Sequence, residues 1–512
     1  MKEPEMAIQR SEESNKMQRR RFLGASFALA GGLSSFDYAL NSPAYRASPI
    51  GGSQDEPCAY SRYQELQKLT DWSRGPDTVD PGYHHAPQEK IEAFKDLKFG
   101  IRIHWGLYCL IGSHESWGLA GANQEFWNVY NVLYQFFNPT SFDADAWMNL
   151  FERAGIKFFT FTTKHHEGFC MWPTQTRQKS PRLTAKAFNR GCEYLETVTN
   201  NYSIMDGPYK KDIVKAVVDA GRKKGMNIGL YYSHIDWHDP AFAWDPFNFN
   251  YDPKFTKESD PQRWQTFIDH EREQVRELMT GYGPIDVLDF DIGWPKSAAK
   301  DVSDIAKMTR KLQPDVIMRS RGIGAYGDYY TPERVIPGGH SQGLWKVIYP
   351  CGTSFSYIPS DVYHPKEWVL ETLIGVVAKG GNFEVGFGPM PNGSWAPEAV
   401  ERLEYVGDWL RVNGEAIYKT RPRQVFKEGD DIWFTTSKNE RFVYAFSMKW
   451  PGREFKVQSV RPVPGSQIFM LGARQPLKWR QEGETLAINI PSELAEHQPC
   501  MQAFAFKIQT RA

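Results

Sequence analysis

The chain has 512 residues, more than one compact domain ordinarily holds unless that domain is a barrel of about 250 residues or more. Its 61 basic residues balance 61 acidic ones, which leaves no net field for nucleic acid or an anionic membrane surface. Hydrophobic residues at 41% and aromatics at 14% supply ample core, and the 17 Trp offer flat rings that stack on a sugar or simply fill that core.

Residues 1–47 read as an address rather than as structure. Arg19-Arg20-Arg21-Phe22-Leu23 leads into a weakly apolar run from Phe22 to Leu33, rich in Ala and Gly, which is the pattern of a bacterial twin-arginine signal. The run is too short to span a bilayer, so export to the periplasm without stable membrane insertion is expected, with Ser42-Pro-Ala44 as one cleavage candidate. The six Cys, at 58, 109, 170, 192, 351 and 500, show no paired CxxC spacing, so neither a zinc site nor a disulfide framework is predicted.

Beyond the leader the chain alternates between two periods. Apolar runs at Phe99 to Ile103, Lys157 to Thr163, Met226 to Tyr232, Ile285 to Phe290, Val316 to Met318, Lys346 to Tyr349 and Phe383 to Phe387 predict buried strands. Helical stripes lie between several of them, such as Trp147, Leu150, Phe151 and Ala154, or Trp264, Phe267, Ile268, Val275, Leu278 and Met279. Strand and helix in alternation imply parallel pairing through right-handed crossovers. An open doubly wound sheet is the rival, but no Gly-rich phosphate loop follows any strand, so an irregular (β/α)8-type barrel over residues 48–418 is predicted. After Tyr418 the strand-length runs Asp431 to Ser437, Arg441 to Ser447, Thr485 to Ile490 and Gln502 to Ile508 are broken by Pro-Gly turns without a helical stripe. Residues 419–512 are therefore predicted to form a small antiparallel β-sandwich.

Polar groups cluster where the strands end. Asp291 closes the run Pro284-Ile-Asp-Val-Leu-Asp-Phe-Asp291, and a carboxylate at the mouth of a barrel strand, with Gly293 and Trp294 just beyond, is placed to face a ligand as a nucleophile. The plainer reading is a loop cap or a partner for a surface Arg. His104 follows the first strand, and His165 and His166 follow the second. Three imidazoles at strand ends could ligate zinc, but no helical HExxH spacing accompanies them, and neutral rings that exchange hydrogen bonds with sugar hydroxyls suit them better.

These stretches resemble the α-L-fucosidases of glycoside hydrolase family 29. The resemblance is carried, in order, by Phe99-Gly-Ile-Arg-Ile-His-Trp-Gly106, Thr162-Thr-Lys-His-His-Glu-Gly-Phe-Cys-Met-Trp172, Gly229-Leu-Tyr-Tyr-Ser233, Phe290-Asp-Ile-Gly-Trp-Pro295, Ala378-Lys-Gly-Gly-Asn382 and Asn413-Gly-Glu-Ala-Ile-Tyr418. It implies an irregular barrel followed by a β-sandwich and a retaining exo-glycosidase that needs no cofactor or metal, with a fucosylated oligosaccharide or fucan as substrate. By the same resemblance Asp291 is similar to the nucleophile, and Glu333 in Thr331-Pro-Glu-Arg334 falls at the acid/base, with Glu367, Glu371 and Glu384 in reserve. His104, His165, His166 and Tyr231 match fucose-binding residues, Arg321 matches an Arg lining the site, and Phe355 resembles the aromatic that meets the sugar's methyl group. Trp117 and Trp294 complete the expected substrate-binding set.

Some positions depart from the family pattern. Asp289-Phe290 stands for Trp-Phe or Trp-Asn, Arg319-Ser320 for Asn-Asp, Lys346 for a Glu, and Phe355-Ser-Tyr357 for Trp-Gly-Tyr. These departures suggest altered polarity on the leaving-group side, hence a decorated or sulfated fucan. Burial is expected to raise the pKa of the acid, and arginine to favour the anion of the nucleophile. Two other classes stay open: a fucose-binding protein with altered catalysis, and a metal-dependent hydrolase built on the His cluster.

Overall fold

The computed structural model describes residues 72–73, 75–120, 122–183, 195–242, 257–340 and 343–511. The twin-arginine segment, its cleavage candidate, Cys58 and Cys192 lie outside these residues. Among the described cysteines, Cys109, Cys170, Cys351 and Cys500 are free thiols.

Seven strands, β1 (Phe99–Ile103), β2 (Phe158–Lys164), β3 (Asn227–Ser233), β4 (Val287–Asp291), β5 (Ile317–Met318), β6 (Lys346–Pro350) and β7 (Asn382–Phe387), form one parallel sheet in the order β6-β7-β1-β2-β3-β4-β5. Strands β1, β2, β4 and β7 are buried at every residue, as a parallel sheet covered on both faces requires. Neighbours in sequence are neighbours in space, and β7 pairs back onto β1 through Phe383–Phe99 and Val385–Ile101. The remaining gap, between β5 and β6, is filled by residues 329–333. Tyr329 bridges Arg319, Tyr330 bridges Trp345 and Glu333 bridges Ile348, all parallel, so an irregular eighth stave closes the barrel.

Helices α1 (Gln88–Leu97), α2 (Ala144–Arg153), α3 (Ile213–Lys223), α4 (Pro261–Gly281), α5 (Ala299–Leu312), α6 (Lys366–Ala378) and α7 (Pro397–Asn413) belong to this layer. Several begin where an Asp accepts a hydrogen bond from the first turn: Asp143 from Ala146 N, Asp212 from Lys215 N and Asp260 from Arg263 N. Gly155 ends α2 at φ +76°, and a Cβ there would stand 2.8 Å from Leu410 and from the Tyr418 hydroxyl, so only glycine lets the chain turn into β2.

The C-terminal segment forms two antiparallel sheets. One contains β8 (Ile432–Ser437), β9 (Phe442–Ser447), β11 (Ile468–Met470) and β14 (Phe504–Gln509); the other is β10 (Glu454–Val457), β12 (Trp479–Glu482) and β13 (Thr485–Asn489). Their inner faces share a core that includes Phe434, Leu486, Ile488 and Met470, with Phe455 stacked 4.3 Å from Phe506 across the two sheets. Trp409 on α7 donates its indole N–H to Gln502 O at 2.8 Å and so ties this sandwich to the barrel.

Candidate active site

Reading each strand to its C-terminal end assembles one pocket. His104 follows β1, His165 and His166 follow β2, Tyr231 lies on β3, Asp291 ends β4, Arg319 and Arg321 follow β5, Glu333 sits on the closing stave and Phe355 follows β6. The rigid barrel thus delivers groups from distant parts of the sequence to one face.

Asp291 is held from three sides. One carboxylate oxygen accepts from Tyr231 Oη at 2.6 Å, and the other from Arg319 at 2.7 Å and Arg321 at 2.9 Å. Burial alone would raise its pKa, but the two guanidinium groups and the Tyr231 hydroxyl outweigh burial and hold it well below the usual carboxylate range. Its backbone is fixed as well. Arg319 Nε donates to Phe290 O at 2.7 Å, His234 N to Asp291 O at 3.3 Å, and Ile292 adopts φ +67°, a costly conformation for a β-branched residue. Gly322 packs against that turn so tightly that a Cβ would lie 2.4 Å from Ile292 O.

Arg321 carries both acids. Its Nη1 donates to Asp291 Oδ1 at 2.9 Å and to Glu333 Oε2 at 2.7 Å. The Glu333 side chain is 33% exposed, the reach a proton donor to an incoming ligand needs. Its pKa runs against the expectation from sequence. Burial and the Asp291 charge raise it, but Arg321 prevails and the value lies below that of an ordinary glutamate.

The three imidazoles are each oriented from behind by a hydroxyl. His104 Nδ1 pairs with Thr162 Oγ1 at 2.8 Å, His165 Nδ1 with Ser116 Oγ at 2.7 Å and His166 Nδ1 with Ser233 Oγ at 2.7 Å. Burial lowers all three pKa values, His104 and His165 far below the ordinary range and His166 to about 4, so the rings are neutral near pH 7. His166 Nε2 is buried without a hydrogen-bond partner among the described residues. Aromatic walls complete the ring: Phe355 lies 5.3 Å and Tyr231 4.9 Å from His104, and Trp117 is edge-on to His166 at 4.8 Å. The main chain carrying Phe355 is pinned by Glu115, which accepts from Phe355 N at 2.6 Å and Ser356 N at 2.9 Å.

Trp294 does not join them. The chain reverses at Ile292, and Trp294, 2% exposed, packs on His234 at 5.0 Å and on Phe267 and Trp264 of α4 at 5.9 and 6.0 Å. Nor do the reserve glutamates reach the pocket. Glu367 lies in the first turn of α6, Glu371 is exposed on α6 and accepts from Gln502 at 2.8 Å, and Glu384 is fully buried in the barrel.

Glu384 belongs to an ionic cluster that also absorbs three of the departures from the family pattern. Arg102 donates Nε to Glu384 at 3.0 Å and pairs with Asp289, while Lys346 Nζ stands 3.1 Å from both carboxylates. Tyr329 donates to Asp289, Thr160 to Glu384, and Arg319 lies 3.9 Å from Asp289 on its way to Asp291. Asp289, Lys346 and Arg319 therefore compensate one another inside the barrel instead of lining the leaving-group side, contrary to the expectation that they alter it. Arg319 is not among the site residues expected from the sequence, yet among the described residues it is the closest cation to the carboxylate of Asp291; its only signal is a charge arriving together with two other unusual charges.

Two carboxyl groups on one guanidinium at the mouth of a closed barrel, surrounded by neutral imidazoles and aromatic walls, define a glycoside hydrolase site. Residues 81–415 match the family model Alpha-L-fucosidase and residues 427–509 match Alpha-L-fucosidase C-terminal domain. The chain belongs to the alpha-L-fucosidase family. The plasma alpha-L-fucosidases of Pongo abelii and Homo sapiens are each 28% identical over 467 residues, spanning 84% of this chain and 92% of theirs. A solved GH29 alpha-L-fucosidase of Bacteroides thetaiotaomicron, a trapped covalent intermediate in complex with 2-fluoro-fucosyl fluoride, shares the fold with TM-score 0.69 at 22% identity, over 85% of this chain and 99% of that one.

Proposed function

We propose that the chain is a retaining exo-glycosidase that hydrolyses α-L-fucosides by double displacement, with Asp291 as nucleophile and Glu333 as acid/base. The observation that carries this reading is the shared Arg321 nitrogen, which caps the distance between the two carboxylate oxygens at the sum of bonds of 2.9 and 2.7 Å. That closeness is what the roughly 5–5.5 Å separation of a retaining pair requires.

In the first displacement the Asp291 anion attacks the anomeric carbon while Glu333 passes its proton to the departing oxygen. Esterification cancels the Asp291 charge, which had been raising the pKa of Glu333. Glu333 is then the stronger acid and its conjugate base is the stable form, ready to take a proton from water in the second displacement. His104, His165, His166 and Tyr231 offer hydrogen bonds to the sugar hydroxyls, the unpartnered Nε2 of His166 among them, while Phe355 and Trp117 supply apolar contact. Bound sugar is a fucosyl residue of an oligosaccharide or a fucan. The leader supports export to the periplasm, and no described helix is long and apolar enough to cross a membrane. The division into a leader at 1–47, a catalytic barrel at 48–418 and a sandwich at 419–512 accommodates both family matches.

A panel of aryl glycosides tests the function. The α-L-fucoside is expected to be hydrolysed at least roughly 100-fold faster than the other sugars, with the α anomer of fucose formed first and the rate unchanged by dialysis against EDTA. Loss of activity restored by zinc would revive the metal reading, and binding without turnover the lectin-like one.

The pKa of Glu333 fixes a second expectation. Glu333 must hold its proton for the first step, and Arg321 keeps its pKa below 4.5 in the free enzyme. On an oligosaccharide, kcat/KM is therefore expected to be greatest at acidic pH and to fall as pH rises through that lowered value. Arg321→Met removes the cation that lowers it and should move this alkaline limb upward, whatever it does to the absolute rate. A limb that stays in place in the variant contradicts the assignment.

A further inference from the structure

The pocket above lies at the C-terminal ends of the barrel strands. At their N-terminal ends, separated from His104 by the length of β1, roughly 16 Å, a cavity of about 360 Å³ opens where α1 ends, α6 ends and the chain enters the sandwich. Lys95, Lys98, Lys379, Arg421, Arg423 and His340 line it, and none of the lining residues is acidic. Two carboxylates stand behind this wall. Glu92 pairs with Lys95 at 2.8 Å and with Arg421 at 2.7 Å, and Asp96 with Arg421 at 2.6 Å. Lys98, Lys379 and Arg423 form no ion pair among the described residues.

Lys98 is the most unusual of the three. It is 1% exposed, and its backbone is locked to β7 by Lys98 N donating to Asn382 Oδ1 at 3.3 Å and Phe383 N donating to Lys98 O at 2.8 Å. Its ammonium makes no hydrogen bond among the described residues. Burial, and next the Arg421 charge, push its pKa down to about 7. Asp96 and Glu92 pull the other way without prevailing, so the charged form of this buried amine is costly until an anion comes beside it. Lys379 is also buried, with Nζ donating to Pro337 O at 2.6 Å, and Arg423 is held to Ser459 O at 2.9 Å. The plain alternative is that these cations serve the carbonyl ends of α1 and α6. Each helix end is worth about half a negative charge, so two ends together offset about one charge, less than Lys379 and Arg423 carry even before Lys98 takes up its proton.

We propose that this cavity binds a compact oxyanion, a phosphate or sulfate group, held by Lys98 and Lys379 from the barrel and Arg423 from the chain entering the sandwich. The group can arrive as the free ion or as an ester on a saccharide; the tetrahedral charge is common to both. Anion binding there joins barrel to sandwich and stabilises the folded chain by mass action, independently of hydrolysis.

The test is a titration of the full chain with inorganic sulfate, inorganic phosphate and a sulfated monosaccharide, read by Tm and by calorimetry, against sodium chloride at matched ionic strength. A saturable rise in Tm with a one-to-one isotherm is expected, together with at least a tenfold weaker Kd in Lys98→Met and unchanged hydrolysis of an aryl fucoside by that variant. Tighter binding of the ester than of sulfate assigns the saccharide as the source, and the reverse assigns the free ion. Sulfate also stabilises proteins by exclusion from their surface, but that effect does not saturate and is the same in both proteins. No saturation in the wild type, or an unchanged Kd in Lys98→Met, overturns the proposal; should that variant not fold, Lys379→Met is the substitute and is judged by the same Kd criterion.

Discussion

Asp291→Asn is expected to fold normally and to lose at least roughly 10⁴-fold in kcat, because no other group stands where the covalent bond must form. The amide can keep its oxygen toward Arg319 and Arg321 and turn its NH2 to the Tyr231 hydroxyl, which then accepts, but it cannot act as the nucleophile. Alanine is the harsher change, since it takes from Arg319, 1% exposed, the nearer of its two carboxylates, and breaking a buried pair costs on the order of 3–5 kcal/mol. The space it opens also admits azide. Partial rescue of Asp291→Ala by azide, with a product of inverted configuration, is therefore expected alongside a lowered Tm. A folded Asp291→Asn protein that turns over at close to the wild-type rate contradicts the nucleophile assignment.

The second large effect depends on the leaving group. An activated aryl oxide departs without a proton, whereas a sugar alkoxide needs one in the transition state. Glu333→Gln is expected to lose roughly 10²–10⁴-fold in kcat/KM on a fucosyl oligosaccharide and far less on a nitrophenyl fucoside. A residue that merely binds the sugar weakens both transition states alike and shows no such split. Glu367→Gln and Glu371→Gln, whose side chains lie on α6, should leave both substrates unaffected. If either of them shows the dependence on leaving group, the proton comes from elsewhere.

The parts of this arrangement that could be read in the sequence are those that repeat a period. The seven barrel strands announce themselves as apolar runs, and the structure places each within two residues of its expected end. The eighth stave does not announce itself, because Tyr329-Tyr330-Thr331-Pro332-Glu333 carries a proline and is paired only through isolated bridges. His104, His165 and His166 were legible because they follow strands directly. The hydroxyls that orient them were not, since Thr162, Ser116 and Ser233 come from 58, 49 and 67 residues away and their residue types are common everywhere.

Charge was the hardest property to read. Asp289, Arg319 and Lys346 each looked like a separate departure, and only their convergence in the barrel shows a carboxylate matched by two cations. The same holds for Glu333. Burial argues for a raised pKa, and the sign reverses because an Arg321 nitrogen stands 2.7 Å away, with the Arg334 charge adding to it. Trp294 was misplaced for a backbone reason, as a positive φ at Ile292 cannot be anticipated for a β-branched residue.

Double displacement requires a covalent bond between Asp291 and the sugar, and trapping that bond tests the mechanism most directly. A 2-fluoro-fucosyl fluoride slows both displacements but carries a leaving group good enough to let the first proceed, so the glycosyl-enzyme accumulates. Incubating the full chain with this reagent, then measuring intact mass and mapping the labelled peptide, is expected to show one 2-fluorofucosyl group per chain, attached to Asp291. A label on any other residue, or continued turnover of the reagent by Asp291→Asn at the wild-type rate, contradicts it.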